Sequence, residues 1–122
     1  MSSAHMSSNA LTPLRRLRRK AEFQRVFDTG RRTHGRFLTI IGAPDGGPNA
    51  RLGIVASKKL GGAVVRNRAK RLIREIFRTT PASGRPLDLV VIPKAPLLTV
   101  SFEALERDFR STLRRCQELS KK

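Results

Sequence analysis

"VVRNRAKRLIREIFR" (residues 64–78) sets six cationic side chains and a single acid, Glu75, among large aliphatic residues. At about 100° per residue on a helix, Val65, Ala69, Leu72, Ile73, Ile76 and Phe77 fall on one face. Arg66, Asn67, Lys70, Arg71, Arg74 and Arg78 share the other. The spacing predicts a helix with a buried back and a cationic front. A buried back needs a surface to lie on, and the flanking sequence supplies one.

Downstream, after the loop residues "TTPASGRP", the run "LDLVVIP" (residues 87–93) is almost continuously apolar and ends at Pro93. That pattern suits a strand covered on both faces at the centre of a sheet. Upstream, "RRTHGRFLTIIGAP" (residues 31–44) is rich in Thr, Ile and Phe and reads as extended, with a break near His34 and Gly35. "APDGGPN" offers turn chemistry and "RLGIVAS" returns as a strand, so residues 37–57 read as an antiparallel hairpin. Ahead of these, "LTPLRRLRRK" is basic and extended; from about Lys20, Phe23, Val26 and Phe27 take helical spacing, and Gly30 suits a left-handed stop. At the far end, Ser101 can cap a helix in which Phe102, Leu105, Phe109, Leu113 and Cys116 follow the i, i+3, i+4 rhythm. The order helix, strands, helix, strand, helix describes an α/β (α+β) two-layer sandwich with helices packed on a small mixed sheet.

With 26 Lys and Arg against 9 Asp and Glu, the chain carries a net charge of +17 over 122 residues. Self-repulsion on that scale favours a polyanionic partner, and nucleic acid is the first candidate. Nine cations and two acids lie in residues 15–36, and nine cations and one acid in residues 51–78, whereas five of the nine acids lie from Asp88 onward. One side of the molecule is therefore expected to be much more basic than the other.

The length allows one domain with a modest core. Residues 1–13 read as a disordered, partly vector-derived N-terminus, since "MSSAHMSSNA" is small, polar and aperiodic, and residues 14–122 as a single RNA-binding domain. Cys116 is the only cysteine, which removes disulfide frameworks and Cys-based zinc sites and fits a reducing cytoplasm. No apolar run approaches the roughly 18 residues of a membrane span, so no membrane partner is expected.

Groups for protein-based catalysis are scarce. Outside the N-terminal stretch His34 is the only imidazole, and no carboxylate cluster has metal-ligand spacing. Ser57 with Lys58 or Lys59 could be drawn as a Ser/Lys pair, but adjacent residues of a strand point to opposite faces. "LGGAVVRNR" lacks the spacing of a phosphate-binding loop. The cationic helix is different: it is short of acids and rich in arginine, whose planar fork suits phosphate and stacks on bases. Phe23 and Phe27, four residues apart, fit either a core or a base-stacking platform, and spacing alone favours the core.

"SKKLGGAVVRNRAKRLIREIFR" (residues 57–78) resembles the signature of the bacterial ribonuclease P protein component, with its Arg-Asn-Arg segment followed by Lys-Arg on a helix. "LRRKAEFQRVFDTG" (residues 17–30) and "GRFLTI" (residues 35–40) are similar to that family's opening helix and strand, and the resemblance spans residues 14–116. It implies an α-β-β-β-α-β-α order with a left-handed crossover, and a protein that assists a catalytic RNA in removing the 5′ leader of precursor tRNA. By the same resemblance Lys58, Lys59, Arg66, Asn67, Arg68, Lys70, Arg71 and Arg74 contact the catalytic RNA. Phe23, Phe27 and Phe37, with Arg19 and Lys20, line a cleft for the single-stranded leader, which reverses the order of preference for the first two phenylalanines. Ile40 stands where some relatives carry an aromatic, and Gly62 where a polar residue is frequent. The expected cofactor is magnesium held mainly by the RNA, with no organic cofactor and no metal ligated by the protein; the expected partners are the catalytic RNA, one protein per RNA, and precursor tRNA, in the cytoplasm. A ribosomal or other structural RNA-binding protein and a stand-alone nuclease are the competing readings.

Overall fold

The computed structural model describes residues 16–44, 50–80 and 87–120, with the side chains of residues 119–120 excepted. The N-terminal stretch expected to be disordered, and most of the two loops at residues 45–49 and 81–86, lie outside the described residues. The elements run α1 (Lys20–Thr29), β1 (Arg31–His34), β2 (Leu38–Pro44), β3 (Arg51–Ile54), a 3-10 turn (Lys58–Leu60), α2 (Ala63–Thr79), β4 (Leu87–Pro93), a second 3-10 turn (Ala95–Thr99) and α3 (Phe102–Ser120). This is the α-β-β-β-α-β-α order expected from the sequence.

The four strands form one mixed sheet in the order β1-β2-β4-β3. Residues 37–57 are not a hairpin: β2 pairs antiparallel with β1 and with β4, and β3 pairs parallel with β4. The reason lies in burial. β2 and β4 each have seven residues, of which only Pro44 in β2 is exposed and only Ile92 in β4 is half-buried. Strands so fully enclosed need partners on both sides, whereas the four-residue β3, with Arg51 half-exposed, tolerates an edge. The parallel pair β3 and β4 is joined through α2, because parallel neighbours cannot be linked by a tight turn.

Alternation along the strands sorts two clusters onto the two faces. Leu38, Ile40, Leu52, Leu87, Leu89 and Val91 pack with Ala69, Ile73, Ile76 and Phe77 of α2 and Leu105, Phe109 and Cys116 of α3. This sheet with α2 and α3 is the expected two-layer body. Ile41, Ala43 and Val90 meet Leu17 and Val26 on the other face, where α1 covers part of the sheet. Phe23 of α1 lies against β3 at Gly53, where a Cβ would stand 2.5 Å from the ring; only a residue without a side chain leaves room for it. Gly30 ends α1 in an extended conformation (φ −85°), not in the left-handed one its position suggests. Close approach explains the glycine there, since a Cβ would fall 2.5 Å from the Val26 carbonyl oxygen.

Polar contacts fix the remaining joints. Ser101 Oγ accepts from the Ala104 N–H at 3.1 Å and caps α3 as expected. Asp108 of α3 accepts from the N–H groups of Arg36 (3.0 Å) and Phe37 (2.8 Å), holding the β1–β2 connection. Cys116 is buried, and burial raises the pKa of its thiol above the ordinary value, so it behaves as a small core residue. Asp88, fully buried in β4, accepts two bonds from Arg51 of β3, Nε to Oδ1 at 3.0 Å and Nη2 to Oδ2 at 2.7 Å. Arg25 of α1 donates to the same carboxylate and, at 3.1 Å, to the Pro44 carbonyl. Arg51 also reaches Glu22 at 3.0 Å, so one ionic network joins α1, β3 and β4.

Asp88→Ala strands two guanidinium groups around an apolar gap and should cost about 3 to 5 kcal/mol in urea unfolding. Glu22 gives a pH signature. Hydrogen bonds from the Arg19 and Arg18 N–H groups, helped by the charge of Arg51 and opposed by burial, hold its carboxyl below the ordinary 4.5. A depressed folded-state pKa stabilises the fold at pH values above the unfolded one, and that contribution disappears as the pH falls through the folded value. Glu22→Gln should therefore lower the melting temperature at neutral pH and flatten its fall on acidification.

Candidate nucleic-acid interface

α2 is anchored as its sequence requires. Ala69, Ile73, Ile76 and Phe77 are buried, Val65 and Leu72 half-buried, and Asn67, Arg68 and Arg71 fully on the outside. The cationic side is itself divided, which sorting the helix into two faces left out. Arg66, Lys70 and Arg74, spaced i, i+4, i+8, are half-buried along one flank, while Arg68 and Arg71 stand free in solvent. Arg66 falls beside Ile73 and Phe77 on the wheel, which draws its stem into the core margin and leaves Nε buried with no hydrogen-bond partner. Glu75, the one acid on the helix, is consumed by Arg78 at 2.6 Å.

Lys58 and Lys59 lie in the 3-10 turn rather than at a strand end, both exposed. The turn ends at Gly61, whose φ of +147° carries the chain into α2; a side chain there would be strained and would press on Val65. Gly62 is exposed at the start of α2 and offers no side-chain cap. Next to this turn and α2, the segment before α1 runs beside β3 through a bridge between Arg16 and Leu52. It brings Arg16, Arg18, Arg19 and Lys20 to the same edge of the sheet. The opposite edge, β1, carries exposed Arg31 and Arg32. Positive charge is thus present at both edges, where the sequence suggested one basic side, because residues 16–20 and 31–36 separate to the two ends of the sheet.

The aromatic residues expected in a cleft are not all brought together. Phe23 is half-buried and packs on the α1-side cluster; Phe27, one turn on, is 37% exposed. Phe37 packs instead against the larger cluster under α2 and α3, with its N–H held by Asp108. Ile40, at the position where an aromatic is found in some relatives, is fully buried on that same side. The apolar residues that accompany Phe23 are Val55 and Ile92, half-buried on the α1-side cluster. The alternation of "RLGIV" and "LDLVVI" carried that information, since Gly53 and Val55, and Val90 and Ile92, share a face. His34 is exposed, and its Nδ1 lies 3.1 Å from Thr39 Oγ1. Among the described residues no group of three or more His, Cys, Asp or Glu is placed to hold a metal ion. No helix among them is long and apolar enough to cross a membrane.

An anchored helix with free arginines on its outer face, flanked by lysines and a second basic segment, defines an α+β domain built to dock on nucleic acid. Comparison with known proteins makes the class specific. Residues 11–117 match the family model described as Ribonuclease P. The ribonuclease P protein component of Dehalococcoides mccartyi is 40% identical over 106 residues, covering 87% of this chain and 88% of that protein. That of Gluconacetobacter diazotrophicus is 41% identical over 106 residues, covering 82% and 89%. The solved structure of the RNase P protein from Thermotoga maritima superposes with a TM-score of 0.73 at 31% identity, covering 82% of this chain and 96% of that one. The Staphylococcus aureus protein gives 0.74 at 31% identity, covering 82% and 93%. The chain belongs to the family of bacterial ribonuclease P protein components. A ribosomal or other structural RNA-binding protein of related fold is not favoured.

The two faces of α2 separate stability from binding. Ile73→Ala should cost about 2 to 5 kcal/mol of stability through a core cavity. Arg68→Ala and Arg71→Ala should each change stability by less than about 0.5 kcal/mol while weakening RNA binding, as chemical denaturation and filter binding would show.

Proposed function

We propose that this chain is the protein subunit of ribonuclease P, docking on the catalytic RNA through α2 and holding the 5′ leader of precursor tRNA on the α1 side of the sheet. The observation that carries the reading is the row of free, acid-poor cations on a helix whose other face is fixed in the core. Asn67, Arg68 and Arg71 meet RNA directly, Arg66, Lys70 and Arg74 line its flank, and Lys58 and Lys59 extend the surface beyond Gly61. The leader lies against Phe27 and the exposed rim of Phe23, with Arg19 and Lys20 at the entrance to α1 neutralising its phosphates. Phe37 supports this surface from the far side of the sheet.

The protein subunit leaves bond cleavage to the RNA. In this reading magnesium ions held by the RNA would supply the activation of the attacking water and the stabilisation of the leaving oxygen. The protein's residues offset phosphate repulsion and position the leader, one protein per RNA, in the cytoplasm. Such electrostatic docking is salt-dependent, each neutralised phosphate contributing about 0.7 to 0.9 to the log–log slope.

Incubating the pure protein with precursor tRNA, with and without the catalytic RNA, tests the reading: cleavage should occur only when that RNA is present. Cleavage by the protein alone would establish a protein nuclease instead. Phe27→Ala should leave the melting temperature nearly unchanged and weaken holoenzyme binding by roughly 1 to 3 kcal/mol. The loss should appear only for precursors whose leader is long enough to reach α1, with mature tRNA bound as before.

A further inference from the structure

The face of the sheet opposite α2 and α3 is only partly covered. α1 crosses it from β3, where Glu22 meets Arg51 and Phe23 lies over Gly53, to β2, where a Cβ on Gly30 would fall 2.8 Å from Ile41 Cγ2. Alternation and the strand registers put three cross-strand rows on this face. They are Arg51, Asp88 and Ala43; then Gly53, Val90, Ile41 and Arg32; and last Val55, Ile92, Thr39 and His34, with the Val55 N–H bonded to the Val91 carbonyl at 3.0 Å. Arg25, on one flank of α1, reaches the first row at Asp88. At 100° per residue, Phe23 and Phe27 lie on the other flank, toward the last row. That row is therefore the floor of a groove walled by α1, about 14 Å long from three strand spacings of about 4.8 Å.

The groove changes character along its length. At the β3 end Val55 and Ile92 are half-buried with Phe23 in one apolar cluster. At the β1 end it becomes polar and cationic. His34 is exposed, and its Nδ1 lies 3.1 Å from Thr39 Oγ1, which holds the ring at the last position of the floor and leaves Nε2 for a partner. Arg32, two residues earlier on the same face, is exposed, and no ion pair among the described residues engages it. Lys94 donates to the Gly35 carbonyl at 2.7 Å and adds a cation next to His34. The acids closest in the chain are turned to other work: Asp28 accepts from Gln24 on the outer side of α1, and Asp108 from the N–H groups of Arg36 and Phe37.

An aromatic and apolar floor that ends in unpaired cations suits a single RNA strand, whose bases stack and whose phosphates need counter-charge. We propose that the leader crosses the whole sheet along this groove and leaves it over β1, where Arg32 binds a backbone phosphate and the His34 ring supports a base. Both would act on nucleotides farther from the cleavage point than those on Phe23 and Phe27, because α2 docks the catalytic RNA near the β3 end. The inference deepens the leader-binding reading and rests on it for which strand fills the groove.

The test compares holoenzymes carrying Arg32→Gln, His34→Gln or Phe27→Ala on precursor tRNAs whose leaders grow one nucleotide at a time. Each β1 variant should weaken binding about threefold to tenfold, beginning at a longer leader than the one at which Phe27→Ala first tells. For Arg32→Gln the salt slope with long leaders should fall by about 0.7, the share of one single-stranded phosphate. Absence of any loss, a loss that begins at the same length as for Phe27→Ala, or one already present with mature tRNA would overturn the exit over β1. Affinity for the catalytic RNA alone should not change; a weaker hold would give the β1 edge to that RNA instead. Both residues are exposed, so the melting temperature should stay close to that of the wild type. A clear fall for His34→Gln would reduce His34 to a clip on Thr39 and remove it from the path. Fluorescent oligouridine tests the groove on the free protein, where all three variants should bind it more weakly. If they do while the wild type fails to bind the catalytic RNA, the ribonuclease P reading falls and the groove stands. If all bind oligouridine as the wild type does, the groove is refuted and the ribonuclease P reading is untouched.

Discussion

A carboxylate with no exposure to solvent, Asp88, sits at the start of the central strand β4 and joins it to β3 and α1. Burying an ionised acid is unfavourable unless it is paired and fully hydrogen-bonded. Arg51 meets that condition from the neighbouring parallel strand and Arg25 from the helix above. The pairing restricts how β3 can lie on β4, since the Arg51 and Asp88 positions face each other in the ladder. It also sets where α1 crosses the sheet, because Arg25 must reach both Asp88 and Pro44. The placement of Phe23 over Gly53, and of the segment bearing Arg16 along β3, follows from that crossing.

The same network explains how so basic a chain keeps a defined interior. With nine acids for 26 cations, internal pairing cannot neutralise the molecule, and three of the acids are placed where they join elements. Glu22 fastens the start of α1 and reaches β3, Asp88 joins α1 to both strands, and Asp108 secures the turn before β2. Among the described residues, exposed cations remain along α2, in the segment beside β3 and at the β1 edge. The resulting repulsion is a cost to the isolated protein that a polyanion removes. Binding and folding therefore draw on one pool of charge. This division also accounts for the thin supply of acid–base groups: His34 and Cys116 are engaged in local and core contacts.

Local periodicity determined much of this protein by itself. The two-faced α2, the capped α3, the buried β4 and the cationic surface were legible because helix and strand periods, and the charge that interrupts them, are properties of neighbouring residues. Strand pairing was not. "RLGIVAS" after a turn-rich loop is an ordinary hairpin signal, and only the competition among strands for positions on both sides of β4 shows that β3 belongs beyond it. The same holds for residues that changed role. Phe37 goes under α3 because Asp108, 71 residues away, takes its N–H, and Gly30 is needed for the closeness of Val26 and Ile41, not for its own dihedral angles. Arg16 gives no signal in sequence beyond its charge. Its place beside Leu52 exists only once β3 is assembled into the sheet, because contacts between segments far apart in the chain are set by packing and buried charge, which no local pattern encodes.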